Sequence, residues 1–430
     1  MTNNILFISD TSDGQNWGCF ATSKILRRLI NNSATIEDTI FLENLYYQEM
    51  NLKLPSVPDI QYVLREWAKV PDSEGNVLDR LYYHGAKPLM DIFDFLPMTA
   101  AQFDVKADKF ANSDLANRFF GSIENVDDVV INGEGSIHGP GRKAKMLLFL
   151  AYLAKNRYDT DTHIINHTLQ MNDPALQQMV ELVYPTLDTL IFREPLSMDH
   201  YLSKVKEGNV VQGADAAWCF DKILPAEKLN EIYNCGGISI WYPRNEPNRV
   251  LDFTRPYITV GGGSGFGRHD TNAVAANFID VIQSIEYETS DVGIILTAAA
   301  HSDEEFMLKV SEETGHPLVK LNNTSKIAAS IIGNSEVYLG GRWHPSIFAL
   351  LGGTPLVNFN GNTFKIQAIK EQFDLEHPIY RCEEMKSRVD EITASVSRRL
   401  GCNGEDNTPT EKEIKEMRSL VKMNVDAIFE

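Results

Sequence analysis

The sequence predicts an α/β protein made of two Rossmann-like domains facing across a cleft, and three observations carry that expectation. Short apolar runs alternate with amphipathic segments along most of the chain, the pattern of parallel strands joined by crossover helices. Many of the runs end in glycine or polar residues, at the strand ends where open parallel sheets bind ligands. A length of 430 residues exceeds one ordinary core and suits two.

In the first half the expected strands cover residues 5–9, 40–42, 129–132, 163–166, 189–192 and 210–212, with helices over 19–31, 143–156 and 174–184. In the second half strands are expected over 237–241, 257–260, 293–297, 318–321, 337–339 and 356–359, with helices over 270–285, 303–314, 325–332 and 345–351. A charged stretch at 220–236 separates the two patterns. It sets an N-terminal domain at 1–225 and a second at 226–400, followed by a polar loop and an amphipathic helix over 411–429. Thr410 caps that helix, which is expected to pack back on the body. Residues 51–125 break the rhythm, and their aromatics, Tyr82, Tyr83, Phe93, Phe95, Phe103, Phe110, Phe119 and Phe120, stand among many charges. They read as a mainly helical insertion in the first domain.

The balance of 40 basic against 59 acidic residues, a formal charge of −19, argues against nucleic acid and anionic membrane surfaces as partners. Any anionic substrate must therefore meet a local group of cations. The five cysteines, Cys19, Cys219, Cys235, Cys382 and Cys402, form no Cys-x-x-Cys pair, and reduced thiols in a cytoplasm are the simplest reading. Residues 1–29 show no leader pattern, and the longest apolar stretch, 146–154, is too short to cross a bilayer. The expected location is cytoplasmic, with peripheral attachment at the inner face of the membrane left open.

The segment 337–365 (VYLGGRWHPSIFALLGGTPLVNFNGNTFK) carries the most chemistry. It reads as a buried strand, a tight turn at Gly340 and Gly341, then Arg342 and His344 just before Pro345, which is placed to open a helix. A guanidinium and an imidazole at a helix N-terminus suit a substrate anion beside a proton-transfer group. Lys365 adds a cation after the next strand. The glycine run at 261–267 fits neither a dinucleotide fingerprint nor a P-loop. Two readings remain for it, a flexible turn or a loop whose N–H groups near Gly263 approach an anion, with Arg268 and His269 beside it. Arg193 also follows a strand, and its Arg-Glu pair reads either as ligand-binding or as a surface ion pair. Glu134, in a loop with Ser136 and His138, reads as a sugar contact, a base or a solvated carboxylate; Asn16 and Asp215 read as acceptor contacts or turn residues. His163 and His167 are too far apart along a strand to share a metal, and no metal is expected.

The run GGRWHPSIFALLGGTPLV resembles the C-terminal signature of the polysaccharide pyruvyltransferase family, with its Arg-any-His element, Gly-x-Pro turn and later lysine. Asn16-Trp17-Gly18, the glycine-rich DVVINGEGSIHG, the Arg-Glu-x-x-Ser of FREPLSMDHYL and Gly213-Ala214-Asp215 resemble further family elements in order, over residues 5–372. Trp343 between Arg342 and His344, and Glu134 with His138 in the glycine-rich loop, depart from the plainer family pattern. The resemblance implies an arrangement similar to glycosyltransferase B, a phosphoenolpyruvate co-substrate, no other cofactor, and a sugar or glycan acceptor, free or lipid-linked. It implies His344 as general acid, Arg193, Arg342 and Lys365 on the donor, and Asn16, Glu134 and Asp215 on the acceptor; Trp343 beside that element and Gly263 of the glycine run are further candidates for donor contact. The product would be a pyruvate ketal plus phosphate. A nucleotide-sugar glycosyltransferase and a glycan-binding protein without catalysis stay open as alternatives, as does a homo-oligomer.

Overall fold

The computed structural model describes residues 3–14, 16–41, 96–111, 114–220, 223–243, 251–266, 271–376, 378–400 and 408–429. Most of the expected insertion, with Tyr82, Tyr83, Phe93 and Phe95, and the pair Arg268 and His269 lie outside the described residues. Two units divide the chain: Met1–Asp13, Leu26–Ala214 and Lys422–Glu430 form the first, Gly14–Ile25 and Asp215–Val421 the second. The division falls inside the helix Trp17–Ser33. Asn16 and Asp215, read from the sequence as first-domain residues, therefore belong to the second unit.

In the first unit, β1 (Asn4–Asp10), β2 (Thr35–Phe41), β3 (Asp128–His138), β4 (Asp161–Gln170), β5 (Thr189–Phe192) and β6 (Val210–Gln212) make a six-stranded parallel sheet in the order β2-β1-β3-β4-β5-β6. Its central strands are buried on both faces, which is why Ile5 to Ile8 is an unbroken apolar run and not an alternation. Helices start where the sequence supplies an acceptor and a proline: Asp173 caps Pro174–Val183 by accepting from Leu176 N–H at 2.8 Å, and Glu194 caps Pro195–Leu202 by accepting from Ser197 N–H at 2.8 Å. Of the expected insertion, the described part holds two helices, Phe103–Phe110 and Asp114–Ile123. Phe103 and Phe110 meet Phe149 edge-on at 5.6 Å each, and so turn the aromatic surplus of this stretch into core.

In the second unit, β7 (Ile240–Trp241), β8 (Tyr257–Gly263), β9 (Gly293–Thr297), β10 (Leu318–Val319), β11 (Val337–Gly341), β12 (Leu356–Phe359) and β13 (Ile379–Tyr380) form a seven-stranded sheet in the order β13-β12-β11-β8-β9-β10-β7. All neighbours are parallel except the short edge strand β7 against β10. With β7 set aside, the order is that of a dinucleotide-binding Rossmann sheet, while the first unit has the flavodoxin-like order. The order reverses between β1 and β3 in one sheet and between β8 and β11 in the other.

Some elements differ from the sequence expectation for identifiable reasons. Gly340 and Gly341 are the end of β11, not a turn, and Gly261 to Gly263 extend β8. Helix Trp343–Leu351 begins two residues before Pro345, so the proline sits in the first turn, where a missing N–H is tolerated. The charged stretch at 220–236 holds a helix, Ala226–Asn234, and helices Lys365–Gln372 and Val389–Leu400 and strand β13 went unread because each is short or strongly charged. Thr410 caps Glu411–Phe429 as expected, its Oγ1 accepting from Glu413 N–H at 3.3 Å, and Glu413 returns the bond, its Oε2 accepting from Thr410 N–H at 2.7 Å.

Candidate active site

In the second unit Gly263 and Arg342 stand at the ends of β8 and β11, where the strand order reverses. The glycines there serve close packing. A Cβ on Gly261 would stand 2.9 Å from the Tyr338 hydroxyl, and one on Gly262 would stand 3.2 Å from the Asp303 carboxylate. A Cβ on Gly263 would stand 2.6 Å from the Phe266 ring, so the space a glycine leaves at this position is filled by an aromatic side chain. On Gly341 the nearest atom would be the Gly263 Cα at 3.1 Å, so the two strands touch backbone to backbone at the switch point.

Arg342 leaves the end of β11 and caps the helix Trp343–Leu351 without a side-chain bond to it. Its guanidinium grips Asp303 instead: Nε donates to both carboxylate oxygens at 2.9 and 3.1 Å, Nη2 donates to Oδ1, and Nη2 also reaches Ser302 Oγ at 2.8 Å. Asp303 lies in the first turn of His301–Thr314, where the helix dipole also favours a carboxylate. Nη1 has no partner among the described residues. Lys365 is buried and opens the helix Lys365–Gln372 just beyond β12, an unfavourable place for a cation unless an anion is near.

His344, in the first turn of Trp343–Leu351, is buried. Its Nε2 lies 3.2 Å from Thr22 Oγ1 and 3.4 Å from Asp215 Oδ2. Asp215 is wholly buried and its Oδ2 accepts from the Trp343 indole N–H at 2.8 Å, while Oδ1 accepts from Ala217 N–H at 2.8 Å and faces Thr22 Oγ1 at 3.2 Å. Thus the bulky Trp343 has a positional role, tying β11's helix to Asp215. Gly18 packs directly against the His344 ring, and a Cβ at this position would overlap the ring's Cβ, Cγ and Nδ1. Asn16 precedes the helix Trp17–Ser33 that carries Gly18, its Oδ1 accepting from Gly18 N–H at 3.0 Å and Cys19 N–H at 3.2 Å. Trp17 anchors that turn further, donating from Nε1 to Leu321 O at 2.8 Å.

In the first unit, Glu134 and Arg193 come together at the β1/β3 switch point. Both are buried, so the Arg-Glu stretch at 193–194 is no surface pair. Arg193 Nε donates to Thr168 Oγ1 at 2.9 Å and Nη1 lies 3.8 Å from Glu134 Oε2, whose partner oxygen Oε1 accepts from Thr11 Oγ1 at 3.1 Å. Glu134 (φ 46°), Ser9 (φ 64°) and Asn166 (φ 51°) all adopt the left-handed conformation unusual outside glycine, each at a register shift of its strand. A buried amide relay holds these bulges: Asn166 Nδ2 donates to Asn132 Oδ1 at 3.1 Å, and Asn424 accepts from Asn166 N–H at 2.8 Å while donating to Ala214 O at 2.9 Å. The last helix therefore supplies a structural piece of the first unit's strand ends.

The two histidines of β4 have separate partners. His163 Nε2 lies 3.1 Å from Asp128 Oδ1, and His167 Nδ1 donates to Ile191 O at 3.0 Å amid Phe192 and Tyr184. Burial pushes His167 down to about 3, and burial pushes Glu194 the other way, to about 7. Between pH 4.5 and 7 native Glu194 keeps a proton that the unfolded chain has lost, so its contribution makes stability fall as pH rises. Below pH 6.5 the unfolded chain takes up a proton that native His167 refuses, so this contribution makes stability fall as pH drops. The two slopes oppose each other where the windows overlap. Glu194→Gln removes the first: the stability of the variant relative to wild type should rise by roughly 3 kcal/mol in total as pH climbs through this window. Thermal melts across pH 4 to 8 read it, and a pH-independent difference would contradict the assignment.

Sequence reasoning missed Thr22, Asp303, Thr11 and Thr168. Thr22 had a signal, since it lies four residues after Gly18 and so shares its helix face. Asp303 had none, because its partner is far along the chain.

The likeness to solved structures defines the class first. The UDP-GlcNAc 2-epimerase from Neisseria meningitidis bound to UDP-GlcNAc is similar with a TM-score of 0.53 at 10% identity, covering 100% of this chain and 99% of that one. That from Methanocaldococcus jannaschii with UDP-GlcNAc and UDP gives 0.52 at 13% identity, covering 97% and 99%. S. aureus MnaA with UDP gives 0.51 at 11%, covering 100% and 98%. At such identities the likeness shows the fold, α/β with Rossmann-like units of the glycosyltransferase B-like kind. No curated protein matches the chain in sequence. The chain belongs to the polysaccharide pyruvyl transferase family, whose model matches residues 20–363. It is therefore a transferase, of a family that moves pyruvyl groups to polysaccharide.

Proposed function

We propose that the protein transfers the enolpyruvyl carbon skeleton of phosphoenolpyruvate to two hydroxyls of one sugar in a glycan or its precursor, forming a cyclic pyruvate ketal and releasing phosphate. The observation that carries the reading is His344 in the first turn of a helix, next in chain to Arg342, at the β8/β11 switch point. His344 delivers a proton to the donor's methylene carbon, which becomes the methyl group. The first sugar hydroxyl adds to the cationic carbon, phosphate departs, and the second hydroxyl closes the ring. Of the two hydroxyl protons released, one restores the histidine and the other leaves with phosphate. Arg342 Nη1, the N–H groups of the helix's first turn and Lys365 supply positive charge for carboxylate and phosphate. Glu134, polarised between Arg193 and Thr11, suits contact with acceptor hydroxyls. The steps are acid-base and electrostatic.

Among the described residues no helix is long and apolar enough to cross a membrane. A cytoplasmic site of action, on free or lipid-linked acceptors, fits the proposed donor. The test is product analysis with a panel of sugar acceptors: phosphoenolpyruvate with a competent acceptor should give phosphate and a ketal of the expected mass. His344→Ala should abolish phosphate release, a loss of ~10²-fold or more, while phosphoenolpyruvate binding persists. Release of a nucleoside diphosphate from a nucleotide sugar instead, or normal turnover by the His344 variant, would overturn the reading.

A further inference from the structure

We propose that Thr22 and Asp215 are positioning residues that fix His344 with its proton on Nε2, which makes Nδ1 the atom that hands the transferable proton to the substrate. This deepens the pyruvyl-transfer reading and rests on it for the identity of the proton's destination, not for the tautomer itself. The inference follows from donor and acceptor counting. Asp215 receives N–H bonds on both oxygens, from Trp343 Nε1 on Oδ2 and from Ala217 N on Oδ1, each at 2.8 Å. Both oxygens are therefore acceptors, and the only hydrogen available between Thr22 Oγ1 and Asp215 Oδ1, 3.2 Å apart, is that of the threonine hydroxyl. Having donated there, Thr22 meets His344 Nε2 at 3.2 Å through a lone pair, so Nε2 must carry the hydrogen. The direct approach of Nε2 to Asp215 Oδ2 at 3.4 Å demands the same. Nδ1 then has no partner among the described residues, and it faces the bare Gly18, the residue that leaves room for the ring.

The arrangement is specific to a carboxylate. An amide at position 215 would have to turn its NH2 group towards either the Trp343 N–H or the Ala217 N–H and the Thr22 hydroxyl. With the NH2 group towards Trp343, two donors collide. With it towards Thr22, the hydroxyl is driven to donate to His344 Nε2, which favours the tautomer with its proton held on Nδ1 and disfavours the Nε2–H form that must remain once Nδ1 has given its proton away.

The experiment is 15N spectroscopy of the histidine rings in the whole protein at a pH where they are neutral, with the His344 signals assigned by their loss in His344→Asn. Wild type should show His344 protonated at Nε2 and bare at Nδ1. Thr22→Ser should keep both the tautomer and kcat. Thr22→Val, which removes the relay, should lower kcat by ~10-fold with KM little changed. Asp215→Asn should shift the tautomer towards Nδ1–H and lower kcat by ~10⁴-fold, the scale seen when a wrong histidine tautomer is forced. A wild-type ring protonated at Nδ1 overturns the proposal whatever the variants do, and so does full kcat in Thr22→Val. If phosphoenolpyruvate proves not to be the donor, the ring spectra still decide the tautomer, so the two failures are distinguishable.

Discussion

Gly18→Ala should lower the turnover of pyruvyl transfer by ~10²-fold or more while leaving the protein folded. The added methyl group is the smallest possible change, but it would occupy the space of the His344 ring. The backbone itself accepts alanine, since Gly18 lies in the first turn of Trp17–Ser33 and is not among the glycines of positive φ. Alanine would even favour the helix by up to ~1 kcal/mol. Against that stands an overpacking penalty of ~1–3 kcal/mol, which leaves a domain of ordinary stability still folded. The ring has little room to yield, because Thr22 and Asp215 hold its far edge at 3.2 and 3.4 Å. A shift of even an ångström breaks that contact and misaims Nδ1. Steady-state kinetics beside a thermal melt separates the two effects. Wild-type turnover in Gly18→Ala would mean that the ring's position does not matter to the reaction.

This also shows what was legible in the sequence. The alternation of apolar runs with helices gave the α/β class, because parallel strands buried on both faces have no choice but to be continuously apolar. The placement of Arg342 and His344 at a strand end and helix start was legible for a local reason, since the two are adjacent in chain, whereas their partners Asp303, Thr22 and Asp215 were not. The part Gly18 plays is not legible there, although Asn16-Trp17-Gly18 stands out as a motif: the reason for the glycine is a ring more than three hundred positions away. The reading of Asp215 as an acceptor contact came from its placement after a strand, whereas its actual neighbours, Trp343 and Thr22, arrive from two other segments. Glycine runs mislead in a similar way. Those of β8 and β11 look like a loop for phosphate, yet the space they leave is taken by Tyr338, Asp303 and Phe266. Glycine in a sequence reports that something comes close, and only the fold says what.

Arg342→Ala should destabilise the second unit by ~3–5 kcal/mol, because it strands the buried Asp303 carboxylate without its counter-charge. A loss of phosphoenolpyruvate binding in that variant would then have two explanations, a missing donor contact or a deformed site. The double variant Arg342→Met with Asp303→Leu separates them. Replacing both members of a buried pair with apolar groups of similar volume is commonly neutral or stabilising, so the double variant should recover most of the lost stability. If Arg342 also grips the donor, binding stays lost in the stable double variant, and Arg342→Lys, which lacks the planar fork, should retain only part of it. Calorimetric titration with phosphoenolpyruvate, run beside denaturant unfolding of the same preparations, gives both quantities. Wild-type affinity in the double variant would reduce Arg342 to a clamp on Asp303. The positive charge for the donor would then have to come from Lys365 and the N–H groups of Trp343 and His344, which makes Lys365→Met the variant that loses binding.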